Sequence, residues 1–231
     1  MKYAAALIAL TCIMSAAVVQ AQEAQVSLKS PHYSFDRQTL IRGAKLFVDR
    51  CLTCHTLKYL RYSRVGEDLG LSKAQVKNML MAPANAEYHA GMINTMRPGD
   101  ATKWLGAAPP DLTLEARYRG TDWIYTYLKS FYVDSSRPSG WNNHVFPHVA
   151  MPDVLAMLGG ERDRQGKLIK QGSLNQEQFD QVVADLTAWL QYTSDPSKIQ
   201  RMSLGPWVIG FLVTLSILTY LLKRVYWRAV H

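Results

Sequence analysis

Cys51-Leu52-Thr53-Cys54-His55 places two thiols three residues apart with an imidazole directly after the second. This is the attachment pattern of a c-type haem. The spacing lets both sulfurs reach the two vinyl groups of one porphyrin, and the same tether brings the adjacent His55 under the iron as proximal ligand. Two other chemistries use a CxxC: a thioredoxin-like redox pair and half of a zinc site. A zinc site needs two more ligands at matching spacing, and the remaining cysteine, Cys12, lies in an N-terminal segment expected to be removed. A redox pair has no use for His55, and no βαβ pattern surrounds the motif.

A six-coordinate iron needs a second axial ligand. Beyond the expected leader the chain offers seven methionines and five histidines besides His55. A thioether suits an electron carrier because it raises the reduction potential. Met151 sits in the loop Trp141–Pro152, after an aromatic, proline-containing stretch and before Pro152, which stiffens the backbone holding the sulfur. It is the preferred ligand, with His144 and His148 as rivals. Met79 and Met81 fall in an expected helix as core filler, Met157 reads as packing in an apolar turn, and Met202 is too near the C-terminal apolar run. Arg117 and Arg119 could neutralise haem propionates through a guanidinium fork, or be two solvated surface arginines.

The elements that position these groups are helical. Leu40, Ala44, Phe47 and Cys51 form one apolar stripe that delivers the motif from a helix end, with Asp36 as N-cap. Gly43, beside that stripe, would let a second helix cross closely. That partner is expected in the helix after Asn175, whose apolar face is Phe179, Val182, Val183, Leu186, Trp189 and Leu190, capped by an Asn175/Gln178 box and ended by Asp195-Pro196. Residues 56–115 are the least regular, with a short helix expected at Leu71–Met81 behind Ser72, a helix opening at Pro110-Asp111-Leu112-Thr113, and a long insertion at 83–108 that wraps the cofactor or serves a partner. A helix from Thr121 or Asp122 carries Trp123, Tyr127, Leu128 and Phe131, and a hairpin turns at Gln165-Gly166.

Residues 1–21 read as a cleaved export signal, with Lys2, an apolar run and Val19-Gln20-Ala21; an uncleaved anchor is the alternative. Gly205–Leu222 is apolar and uncharged, flanked by Trp207 and by Lys223-Arg224, Tyr226 and Trp227. It reads as a membrane span with a cytoplasmic C-terminus. The expected organisation is therefore signal 1–21, extracytoplasmic haem domain 22–203, anchor 204–222 and tail 223–231. Of 26 basic residues, Lys2 is in the signal and Lys223, Arg224 and Arg228 follow the span; the remaining 22 against 18 acidic leave only +4, without a block of like charge. That excludes a nucleic-acid-binding surface. No nucleophile–base constellation is visible either.

Taken together, these residues resemble the cytochrome c1 family, over about Phe35 to Arg228. The likeness is carried by Gly43-Ala44-Lys45-Leu46-Phe47 before the motif and Thr56-Leu57-Lys58-Tyr59-Leu60-Arg61-Tyr62 after it. Pro109-Pro110-Asp111-Leu112, Arg117-Tyr118-Arg119, Ala150-Met151-Pro152 and the single C-terminal span complete it. The resemblance implies a mainly α, cytochrome c-type haem domain with a loop-rich insertion and a small hairpin, plus one transmembrane helix in a bacterial inner membrane. It implies one covalent haem c with His55 and Met151 on the iron, Pro110 against the cofactor and Arg119 as propionate partner. It also implies cytochrome b, a Rieske iron–sulfur protein as donor and a cytochrome c as acceptor, in a dimeric quinol–cytochrome c oxidoreductase. A free-standing membrane-anchored monohaem carrier is the alternative.

Overall fold

The computed structural model describes residues 26–81, 86–94 and 96–229, so the expected export signal lies outside the described residues. In chain order the elements are α1 (Arg37–Arg50), β1 (Leu57–Arg61), α2 (Tyr62–Leu69), α3 (Lys73–Leu80), β2 (Gly91–Met92), α4 (Pro98–Leu105), α5 (Glu115–Arg119), α6 (Thr121–Lys129), β3 (Phe131–Val133), β4 (Trp141–Asn143), α7 (Ala156–Gly159), β5 (Glu161–Arg162), β6 (Leu168–Lys170), α8 (Gln176–Ser194) and α9 (Lys198–Tyr226). A 3₁₀ turn over Trp227–Ala229 follows. The strands pair as three antiparallel ribbons, β1–β2, β3–β4 and β5–β6, and the architecture is mainly α, as expected.

The crossing of α1 and α8 is the centre of the core. Asp36 starts α1 by accepting the Gln38 and Thr39 amides at 2.8 and 3.0 Å, satisfying two otherwise orphaned donors. The stripe Leu40, Ala44 and Phe47 is buried against α8, whose Trp189 and Tyr192 are inaccessible to solvent. Gly43 permits the approach: a Cβ there would lie 2.7 Å from Trp189 Cβ and closer still to the Asp185 carbonyl. Beside it, Arg42 grips Asp185 through Nε and Nη2 at 2.5 and 3.1 Å. The expected Asn175/Gln178 capping box opens α8, and Asp195 caps its end.

The described residues between 56 and 115 carry more regular structure than their composition suggests. Neither the β1–β2 ribbon nor α2 and α4 was legible. The ribbon's register is irregular between Leu57 and Arg61, so no alternation marks it. In α2 a central glycine, Gly66, packs where a Cβ would lie 2.7 Å from Tyr88 Oη, and α4 starts on Pro98-Gly99, which reads as a turn. The expected short helix is α3, with Ser72 and Gln75 forming a full capping box. Three expectations need correction. Phe131 is not on the helix that starts at Thr121: α6 ends at Lys129, and Phe131 opens β3. No helix opens at Pro110: α5 begins at Glu115, because Asp111 turns its carboxylate onto neighbouring donors and holds 110–113 as a strap. Met157 does not pack in an apolar turn; it is exposed, with Arg50 Nη1 3.9 Å from its sulfur.

The hairpin turns as predicted at Gln165-Gly166, closed by Gly166 N–H to the Asp163 carbonyl at 2.9 Å. The apolar C-terminal run lies within α9, 29 residues long, so the helix extends beyond Gly205–Leu222 at both ends. None of its residues is buried.

Candidate haem site

The motif is the continuation of α1. Cys51 N–H still donates to the Phe47 carbonyl at 2.8 Å, and the chain then turns, with the Cys54 and His55 amides donating to the Cys51 carbonyl at 3.0 and 2.8 Å. Asn94, from beyond β2, donates its side-chain amide to the Cys54 carbonyl and fixes the far side of the turn. Both cysteines are free thiols. Burial pushes the Cys51 thiol up to about 12 and raises Cys54 as well. A redox-active CxxC needs a stabilised thiolate, which these surroundings oppose. Among the described residues no group of three or more His, Cys, Asp and Glu side chains is placed to hold a metal ion, so the zinc alternative has no ligand set there.

His55 is buried, and its Nδ1 lies 2.8 Å from the Pro110 carbonyl oxygen. A carbonyl only accepts, so Nδ1 carries the proton and Nε2 is left with a lone pair for a metal. Burial lowers the ring's pKa, partly offset by the Pro110 hydrogen bond, and keeps the imidazole neutral. Pro110 is held in place by Asp111. Its Oδ2 accepts Thr56 Oγ1 at 2.6 Å and the Lys58 amide at 2.8 Å, and Oδ1 accepts the Thr113 amide at 3.1 Å. The Leu112 amide adds a bond to the Thr56 carbonyl at 2.8 Å. The strap is therefore stitched to the segment immediately after His55.

Met151 belongs to a second group of residues. Tyr127 Oη donates to Met151 Sδ at 3.4 Å. Tyr127 stacks on Trp123 at 4.9 Å and 8°, meets Phe131 edge-on at 5.1 Å, and is kept protonated by burial, which raises its pKa far above the usual phenol value. Arg119 caps this column with its guanidinium 4.4 Å from the Trp123 ring centre and its Nε 3.1 Å from Glu115 Oε1. Arg117 is exposed and stands outside the column. Glu115 connects the two groups, since its charge acts on both His55 and Tyr127.

The loop bearing Met151 is shaped by two buried asparagines. Asn143 Oδ1 accepts the Val145 and Phe146 amides at 2.8 and 3.1 Å while its Nδ2 donates to the Tyr127 carbonyl at 2.8 Å. Asn142 Oδ1 accepts the His148 amide at 2.8 Å, and His148 adopts φ +64°. Of the two rival histidines, His144 stacks its ring on Tyr132 at 4.5 Å, and His148 is exposed. Two residues after Met151, burial pushes the Asp153 carboxyl up to about 6. The sequence reading missed Asp111, Tyr127, Asn94, Asn142 and Asn143. Asp111 had a signal, an acid two residues before a threonine after two prolines, which is an Asx-turn pattern; the other four had none.

The donor set fits a covalently held haem: two protonated thiols at the attachment spacing, a neutral histidine with a free Nε2, and a separate thioether. Comparison with known proteins agrees. Residues 26–230 match the model of the cytochrome C1 family. Cytochrome c1 of Allochromatium vinosum is 42% identical over 211 residues, covering 85% of this chain and 86% of that protein. A Nitrosomonas europaea protein named ammonia monooxygenase gamma subunit is 42% identical over 208 residues, covering 88% of both chains. A Bradyrhizobium diazoefficiens cytochrome b/c1 is 26% identical over 243 residues, spanning 89% of this chain but 35% of that longer protein. By the span of the family match and by identity over most of its length, the chain belongs to the cytochrome c1 family, whose members carry covalent haem c and transfer electrons in a membrane-bound bc1 complex.

Proposed function

We propose that this chain accepts electrons from a Rieske iron–sulfur protein and delivers them to a cytochrome c, as the haem subunit of a quinol–cytochrome c oxidoreductase. The observation that carries the reading is the His55 Nδ1–Pro110 contact at 2.8 Å, which commits the imidazole to present Nε2 directly after a CxxC. A haem c bound there supplies a one-electron iron couple. Cys51 and Cys54 would hold it by thioether bonds, and His55 Nε2 and Met151 Sδ would ligate its iron. Pro110 and Arg119 would line its surroundings, Arg119 opposing the propionate charge. With His55 and Met151 both holding the iron, no side chain would be required to move a proton or release a ligand.

The haem domain, residues 22–203, would work in the periplasm after removal of residues 1–21. Residues 204–222 would anchor it in a bacterial inner membrane, with Lys223, Arg224 and Arg228 on the cytoplasmic side by the positive-inside rule. Cytochrome b is the expected membrane neighbour, in a dimeric complex. The Bradyrhizobium relative's name, cytochrome b/c1, supports that pairing.

Optical spectroscopy of the membrane protein beside Met151→Leu, with copurification, tests this reading. The expected results are a low-spin haem whose oxidised form shows a sulfur–iron charge-transfer band, loss of that band and a large fall in potential in the variant, and cytochrome b in the same detergent fraction. A wild type without the band overturns Met151 as ligand. A haem protein that purifies without cytochrome b favours the free-standing carrier instead.

A further inference from the structure

Tyr127 is the residue whose placement the electron-carrier reading leaves unexplained. Its hydroxyl is the one polar hydrogen within reach of the Met151 sulfur among the described contacts, at 3.4 Å. Nothing about that position is accidental to the fold. The ring is clamped between Trp123 at 4.9 Å and Phe131 at 5.1 Å, and its own carbonyl receives Asn143 Nδ2 at 2.8 Å. The same asparagine shapes the loop that carries Met151, through the Val145 and Phe146 amides. The donor and the acceptor are thus held by one shared network. Tyr127 is half-buried, and a phenol clamped between rings with no partner would cost free energy, so the sulfur also answers the question of where this hydroxyl bonds.

We infer that Tyr127 is a positioning and tuning residue for the Met151 thioether: its hydroxyl donates to the sulfur, orients one lone pair and lowers the electron density of the other. This rests on the reading of Met151 as the axial ligand. A sulfur that shares density with a hydroxyl is a weaker donor to ferric iron, which needs that density more than ferrous iron does. The hydrogen bond therefore favours the reduced state and raises the potential. The column Arg119–Trp123–Tyr127–Phe131 is the scaffold that keeps the hydroxyl from rotating to water.

The test is a redox titration of the full-length, membrane-purified haem protein in three forms: wild type, Tyr127→Phe and Phe131→Leu. Tyr127→Phe removes only the oxygen, and Phe131→Leu loosens the same column while leaving the hydroxyl. The expected result is a sulfur–iron band retained in all three, with the reduction equilibrium of Tyr127→Phe moved about threefold toward the oxidised form, roughly 30 mV at 59 mV per tenfold. Phe131→Leu should lower the unfolding temperature without that shift. A potential unchanged in Tyr127→Phe, with the band intact, overturns the inference while leaving Met151 as ligand. An equal shift in Phe131→Leu also overturns it, because packing would then be the cause. A wild type without the band removes the ligand assignment itself, and the inference with it.

Discussion

At the scale of single residues, the site depends on a backbone carbonyl rather than on a side chain. Pro110 contributes an oxygen to His55 Nδ1, so Pro110→Ala keeps the acceptor and should leave the haem spectrum unchanged, with a stability loss of about 1 kcal/mol from a looser strap. Asp111→Ala is the severe change. It strips the acceptor from Thr56 Oγ1 and from the Lys58 and Thr113 amides, and should cost about 2–3 kcal/mol in denaturant unfolding. It should also let reduced protein bind carbon monoxide as the His55 support loosens. Burial alone would raise the Asp111 pKa, but the hydrogen bonds from Thr56, Lys58 and Thr113 outweigh it and leave it lowered. The sign follows: the strap's stabilisation is complete above the unfolded carboxylate value of about 3.9 and is lost as pH falls through the lower folded value. Acid titration of the low-spin spectrum should show that loss below about pH 4 in wild type, with no such step in Asp111→Ala. The CxxCH motif itself was fully legible, because covalent attachment fixes residue types and spacing within five consecutive positions. Tyr127 was not, since a tyrosine on a helical apolar stripe has the same pattern whether it fills the core or donates to a sulfur.

At the scale of elements, the Cys51–His55 turn is aimed by α1, and α1 is aimed by its crossing with α8. Gly43 is the pivot of that crossing. Gly43→Ala would gain helix propensity of about 1 kcal/mol in isolation. Here the added methyl must displace Trp189 Cβ, 2.7 Å away, and the Asp185 backbone, neither of which is a flexible side-chain end. The clash should dominate, for a net destabilisation of about 3 kcal/mol or more, read as a fall in unfolding temperature of the haem-loaded protein. An unchanged or higher temperature would mean the helices separate freely and the crossing does not position the motif. This crossing could be foreseen because a glycine beside an apolar helical stripe is a local signal and α8 has a complementary face. The β1–β2 ribbon could not, because its pairing joins Leu57 to Met92 across a long stretch and its register is irregular. Long-range pairing of short strands leaves little trace in either strand alone.

At the scale of the whole molecule, the protein consists of a packed domain and a helix that leaves it. Between Arg201 and Lys223 no residue of α9 is charged, a run of roughly 32 Å at 1.5 Å per residue, which matches the hydrocarbon thickness of a bilayer. The connection to the domain is made before that run begins. Lys198 Nζ reaches Gln191 Oε1 at 2.9 Å and lies 4.4 Å over the Phe35 ring, and Arg201 holds Asp195 at 2.5 Å. Beyond Met202 every residue of α9 except Gly205 is exposed, so no core contact of the domain depends on the span. A chain ended after Ser203 should therefore appear in the aqueous fraction with the visible spectrum and potential of the full-length protein. Its unfolding temperature should be unchanged to within the effect of about 1 kcal/mol. Its capture by a cytochrome b-containing membrane should fall, because the anchor that confines it to the bilayer is gone while the surface that meets its redox partners is intact. Loss of haem or aggregation on the same truncation would instead place part of the domain's stability in α9, which the exposure of that helix argues against.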